Sequence, residues 1–250
     1  MLPIGQTEIE LSYVIPVFFN QKDTKVLNDL LIAYSRLDQD LIRRIQFVIV
    51  DDCSPIKIEI PSDIHLNYQL LRITTDIRWN QAGARNLGVV KAAGPKIIIT
   101  DCDHFFPESL LRKILNSKIP YKTLYKFKRE DANGKAIQSH CNTFYTSKAT
   151  FFSTLGYDEE FCGNYGYEDV MFRYFQSAIG NKIKYFTRLK KIVSNTIDRE
   201  ESYHNLVRDT DVNLKLMEAK IPFLKDKNPF KAHSRLFLNF EYQVVKVNRI

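Results

Sequence analysis

Uninterrupted apolar runs alternate along the first half of the chain with stretches in which apolar positions recur every three or four residues. "IELSYVIPVF", "IQFVIVDDCS", "NYQLLRIT" and "PKIIIT" are of the first kind, the pattern of strands covered on both faces. "TKVLNDLLIAYSRL" is of the second: Val26, Leu27, Leu30, Leu31, Tyr34 and Leu37 fall on one side of a helix. "NQAGARNLGVVKAAG" predicts another helix, with Asn80 near its start and Gly94 as its stop, and a third begins after Pro107. The order β-α-β-β-α-β-α predicts an α/β domain in which a mostly parallel central sheet is flanked by helices and joined by right-handed crossovers.

The second half is less regular. "YKTLYKFKRE" and "CNTFYTSK" read as strands joined by "EDANGK", whose Asn133-Gly134 is a hairpin signal. "YEDVMFRYFQSAI" reads as a helix with a flexible "CGNYGY" before it, "NKIKYF" as a strand and "NLVRDTDVNLKLMEAK" as an amphipathic helix. Beyond Pro222 the pattern fades, so the expectation is one domain over residues 1–222 and a C-terminal extension over 223–250.

Composition narrows the class. At 250 residues and 44% hydrophobic content the chain can bury one sizeable core. Cys53, Cys102, Cys141 and Cys162 form no C-x-x-C pair, which argues for reduced thiols and against a zinc site. The N-terminal stretch lacks a basic region and its apolar run is broken by Pro16, so neither a signal peptide nor a membrane span is expected, and the cytoplasm is the default compartment. The net charge of +7 favours an anionic partner, whether nucleic acid, a membrane surface such as the inner face, or a phosphorylated substrate. Much of the excess is C-terminal, in Lys220, Lys225, Lys227, Lys231, Arg235, Lys246 and Arg249, where a solvated tail is the plainer reading.

Two of the buried strands end in acids: Asp51 and Asp52 after the second, Asp101 and Asp103 after "IIIT". In open α/β sheets ligands bind outside the carboxyl ends of the strands. Either pair alone would serve as a turn former or helix cap. A D-x-D pair at such an exit also suits Mg2+ or Mn2+, whose open coordination positions phosphate oxygens fill. Cys102 is then a spacer turned to the core, and the ring of His104 is expected to point away from Asp103.

In order and spacing, "LSYVIPVFFN", "VIVDDCS", "AGARNLG" and "TDCD" resemble the motifs of a family 2 type glycosyltransferase of the GT-A fold, an inverting class. "FCGNYGYEDVMFRYF" resembles the acceptor-side segment of that family and of β-1,4-galactosyltransferase-like enzymes. The resemblance implies a nucleotide pocket lined by Pro16, Val17 and Phe18, with Asp52 or Asp51 accepting a uracil imide N–H, as only an acceptor can. It further implies that Arg85 meets the base or diphosphate, that Asp103 holds Mn2+ or Mg2+, and that Asp101 binds the donor sugar or ribose, or the metal through water. Across the site, Asp169 is the implied base and Glu168 an acceptor-binding residue, with Tyr165 and Tyr167 as a floor for a sugar ring. His204 is the implied third metal or diphosphate group, and Arg208 a phosphate contact. Trp79 stacks on a ligand or fills the core.

The expected activity is transfer of a sugar from a nucleotide-diphosphate donor, UDP-sugar favoured, to a hydroxyl of a glycan, polysaccharide or lipid-linked oligosaccharide. "RWNQAGARN" departs from the common G-x-x-x-A-R-N pattern, which leaves donor choice open. The alternative is a non-catalytic nucleotide- or nucleic-acid-binding module of the same fold. Nucleic acid is not expected as a partner, because the basic residues show no aromatic-interleaved stripe and the acid clusters would repel phosphates.

Overall fold

The computed structural model describes residues 8–20, 23–187, 191–194 and 205–250. Strands β1 (Leu11–Val17), β2 (Ile45–Asp52), β3 (Asn67–Ile73) and β4 (Lys96–Ile99) alternate with helices α1 (Lys25–Ser35), α2 (Gln39–Ile42) and α3 (Gln81–Lys91). Then come β5 (His104–Phe105), α4 (Glu108–Leu115), β6 (Thr123–Lys126), β7 (Lys128–Asp131), β8 (Ala136–Ile137), β9 (Phe144–Ser147) and α5 (Lys148–Phe152). Helix α6 (Glu168–Ala178), β10 (Lys182–Tyr185), β11 (Lys191–Ser194), α7 (Asp211–Leu224) and β12 (Tyr242–Asn248) complete the described chain.

The main sheet has the order β10-β6-β9-β4-β1-β2-β3-β12. Its centre, β4-β1-β2-β3, is parallel throughout, as the continuous apolar runs require: every residue of β2 is buried, so both faces need a cover. Leu27, Leu30 and Leu31 of α1 pack in the core on one face, and Ala84 and Leu87 of α3 in the core on the other. Helix α3 lies unusually close to the sheet. A Cβ added at Gly88 would stand 2.3 Å from Cγ1 of the fully buried, stiff Val14. Gly88→Ala is therefore expected to destabilise the fold by about 1–2 kcal/mol, overpacking outweighing the better helix propensity of alanine, as a denaturant titration would register.

Two sequence expectations change. "YKTLYKFKRE" is not one strand: it breaks at buried Phe127 into β6, in the main sheet, and β7, in a separate sheet β5-β11-β7-β8. The Asn133-Gly134 turn forms, with Gly134 at φ +80°, but it pairs β7 with the short β8. "CNTFYTSK" instead supplies β9, antiparallel to both β4 and β6. The reason is coverage: all four residues of β9 are buried and need neighbours on both sides, whereas β7 and β8 carry no fully buried residue.

The expected boundary at residue 222 falls inside α7, with Pro222 in its last turn. The segment beyond it is stitched to the domain. Strand β12 pairs antiparallel with β3, and the backbone N–H groups of Leu238 and Asn239 donate to Glu159. Lys220 is buried, donating to Asp158 (2.8 Å) and to the Ala232 carbonyl, so it does not belong to the exposed basic surface. An edge strand exposed on both faces carries no alternation to read. No helix among the described residues is long and apolar enough to cross a membrane.

Candidate active site

Strand β1 keeps β2 as a partner up to Val17 but loses β4 after Val14. The chain leaving β4 turns away there, and a cavity of about 840 Å³ opens at the carboxyl ends of β1, β2 and β4. Pro16, Val17, Phe18 and Asp52 line one end; Asp101 and His140 lie on its wall; Glu168 and Asp169, opening α6, line it as well. Trp79, Tyr165, Tyr167 and Arg208 also line it. The Trp79 ring meets that of Tyr165 at 4.7 Å, tilted by 51°, and donates its indole N–H to the Val207 carbonyl, so it is a wall of the cavity and only 8% exposed.

The two acids of "VIVDDCS" part ways. Asp51 is not among the cavity-lining residues: its carboxylate accepts from Arg72 at 2.5 Å and from the Ser54 backbone N–H at 2.9 Å. Asp52 faces the cavity and accepts from the Asn80 side chain at 3.1 Å. Burial pushes its carboxyl up to about 7, against the lowering effect of Asn80 and with Asp51 and Asp76 adding to the rise.

Around the D-x-D, the nearest ligand atoms of Asp101, His104 and His140 lie within 4.8 Å of one another. His104 does not point away from Asp103, its Nε2 standing 3.8 Å from Asp103 Oδ1, but it is spoken for. Its Nε2 accepts from Arg129 at 2.8 Å, which leaves Nδ1–H for the hydroxyls of Thr100 and Thr143, and burial lowers its pKa to about 4. His140 was not singled out from the sequence. The antiparallel pairing of β9 with β4 sets the turn before β9 beside the D-x-D, and Nδ1 of His140 stands 3.5 Å from Asp101 Oδ2 while accepting the Asn142 backbone N–H. Asp103 is one-quarter exposed, yet its Oδ1 is buried with no hydrogen-bond partner. Burial and the neighbouring Asp101 raise the Asp103 carboxyl to about 6. A partnerless carboxylate oxygen and a second carboxylate fit a divalent cation of the Mn2+ type, and the His140 imidazole completes the set when its Nδ1 exchanges the Asn142 N–H for the ion. His204 lies outside the described residues, and Cys102 is buried in the core as expected.

Arg85 does not reach the cavity surface. Its guanidinium is fully buried, bonded to Glu168 at 3.0 Å and Gln81 at 2.7 Å, 3.5 Å from Asp101, and over the ring of Tyr157. The cation is engaged by protein carboxylates on both sides, not presented to a diphosphate. Asn86, next in the A-R-N motif, donates to Glu159 and exchanges hydrogen bonds with the Tyr157 backbone. The motif thus ties Asp101 and Glu168 to the segment around Tyr157 and Glu159. Burial raises the Glu168 carboxyl although Arg85 pairs with it.

The "CGNYGY" loop needs left-handed backbone at Gly163 (φ +97°), Gly166 (+87°) and Tyr167 (+67°). Its glycines marked it as flexible, but one buried amide holds it: Asn213 of α7 donates to the carbonyls of Phe161, Asn164 and Gly166 at 2.8–3.0 Å. That clamp aims the first turn of α6 at the cavity.

A parallel α/β core with acids at two strand exits, facing a second acidic pair across one cleft, defines a glycosyltransferase of the GT-A fold. The chain belongs to glycosyl transferase family 2, whose family model matches residues 12–182. Among solved structures it is similar to S. aureus TarS 1–349 in complex with UDP-GlcNAc (14% identity, TM-score 0.64, covering 88% of this chain and 68% of that one). It is also similar to the mannosyltransferase PcManGT from Pyrobaculum calidifontis in complex with GDP-Man and Mn2+ (14%, 0.56, 88% and 63%). A third is the catalytic domain of Drosophila beta1,4galactosyltransferase 7 complexed with xylobiose (12%, 0.53, 96% and 87%). At these identities the likeness is one of fold, and the chain spans less than two thirds of several TarS and mannosyltransferase structures. Comparison with curated proteins gives no match.

Proposed function

We propose that the protein transfers a sugar from a nucleotide-diphosphate donor to an acceptor hydroxyl, with inversion at the anomeric carbon. One observation carries this reading: a single cavity is lined by Pro16–Phe18 and Asp52, by Asp101 and His140, and by Glu168–Asp169. Asp52 serves the base, as the acceptor of an imide N–H, which favours UDP. Asp101, Asp103 and His140 would hold Mn2+ or Mg2+, which supplies positive charge to the leaving diphosphate. Structures of the same fold carry UDP-GlcNAc, or GDP-Man with Mn2+, which supports that class of donor.

Asp169 takes the proton of the acceptor hydroxyl as its oxygen bonds to the anomeric carbon. The bond from that carbon to the diphosphate oxygen breaks, and its electron pair leaves with the nucleotide. Glu168, held by Arg85, is fixed for hydrogen bonding to the acceptor. A glycan, polysaccharide or lipid-linked oligosaccharide is the acceptor class we favour. The exposed Lys225, Lys227, Lys231, Arg235, Lys246 and Arg249 suit an anionic membrane surface.

Thermal melts with Mn2+ and a panel of UDP- and GDP-sugars test the donor class; stabilisation by no nucleotide sugar, with or without metal, would sink it. Donor affinity also carries a pH signature. If the Asp52 carboxylate is the base acceptor, binding weakens as pH falls through about 7, so affinity for a UDP-sugar is expected to be about tenfold lower at pH 6 than at pH 8. The donor has no group of its own titrating in that window. Asp52→Asn should remove most of the slope in a calorimetric titration, leaving the smaller part that belongs to Asp103.

A further inference from the structure

We propose that Asn142 is a positioning residue that orients the carboxylate of Asp169 and ties it to Arg85. This rests on the reading of Asp169 as the base. With its amide oxygen turned to the guanidinium, Asn142 accepts from Arg85 at 3.1 Å and its nitrogen donates to Asp169 Oδ2 at 3.1 Å. The reverse orientation would set oxygen against carboxylate and nitrogen against guanidinium, satisfying neither. Cys141, the preceding residue, stands beside the same carboxylate, whose negative charge helps burial to hold the thiol protonated. His140, one further back, faces Asp101. Three consecutive side chains thus serve acids on both sides of the cleft, because the β9–β4 pairing brings their turn between them.

The choice of an amide has a physical reason. Asp169 is 6% exposed, so its carboxylate is confined, and Asn142 fixes the direction of Oδ2. A guanidinium in direct contact would lower a carboxylate's basicity. The amide transmits the orientation of the rigid, fully buried Arg85 and keeps its charge one residue away. The charged and titratable groups facing Asp169 are Arg85, Glu168, Cys141 and Tyr157.

The test compares Asn142→Asp and Asn142→Ala with the unchanged protein in donor KM, kcat and the pH dependence of kcat, with thermal melts to confirm folding. Asn142→Asp places a like charge against Asp169. It is expected to lower kcat at pH 7 about ten- to a hundredfold, to move the acid limb up by about one unit, and to leave donor KM within about twofold. Asn142→Ala should lower kcat by a similar factor with little shift of the limb, and it decides the matter if the aspartate variant does not fold. Turnover within twofold of the unchanged protein in Asn142→Ala, or a loss borne by donor KM with kcat kept, would overturn the proposal. Asp169→Asn, measured alongside, separates the two ideas. If it retains turnover, the base reading falls; if it loses turnover while the Asn142 variants keep theirs, only the role of Asn142 falls.

Discussion

Asp169→Asn is expected to lower turnover by about two to four orders of magnitude while leaving donor binding unchanged. The substitution preserves size and can still accept from the Asn142 amide, so the first turn of α6 should hold its shape. What it removes is the ability to take a proton. Glu168 is no substitute, because its carboxylate lies 3.0 Å from the buried Arg85 guanidinium, and protonating it would leave that cation short of a partner. Glu168→Gln is therefore expected to weaken acceptor use more than the chemical step. The experiment is a single-turnover assay beside a calorimetric titration of the donor. Near-native turnover in Asp169→Asn would place the base elsewhere, whereas loss of donor binding would show that the residue is structural.

How much of this was readable beforehand depends on the physics behind each residue. The parallel core was legible because strands buried on both faces must be apolar throughout; that Asp52 and Asp101 line the cavity was legible because acids at strand exits need a reason, and that Glu168–Asp169 do so because they open a helix after a loop with two glycines. The partition of Asp51 from Asp52 was not: side chains alternate across a strand, and which one faces the cleft depends on register and on Arg72, a distant partner in sequence. The surroundings of Arg85 were not legible for a related reason. A guanidinium beside small residues looks ready for phosphate, and only the packing of α3 against α6 shows that protein carboxylates already occupy it. His140 and Asn142 carry no local motif. Their importance is set by a strand insertion, β9 between β4 and β6, that hydrophobic patterning placed in the wrong partnership. The C-terminal strand was missed because an edge exposed on both faces has no periodicity.

Asp103→Ala is expected to abolish the metal-dependent part of donor binding without costing stability in the metal-free protein. The two halves of this prediction have one cause. Oδ1 of Asp103 is buried with no hydrogen-bond partner, beside a second carboxylate; such a group is unfavourable for folding unless something neutralises it. Removing it relieves like-charge crowding with Asp101, so the metal-free melting temperature should stay level or rise. With donor and Mn2+ present at a hundredfold excess over Kd, the unchanged protein should gain about 2.7 kcal/mol, or roughly 5–11 °C for a chain of this size. The variant should lose that gain. A residue that only braces the fold would behave the other way: its removal would lower the metal-free melt and leave the ligand-induced shift in place. The pair of melts therefore distinguishes a carboxylate kept for a cation from one kept for the fold, without any assay of transfer.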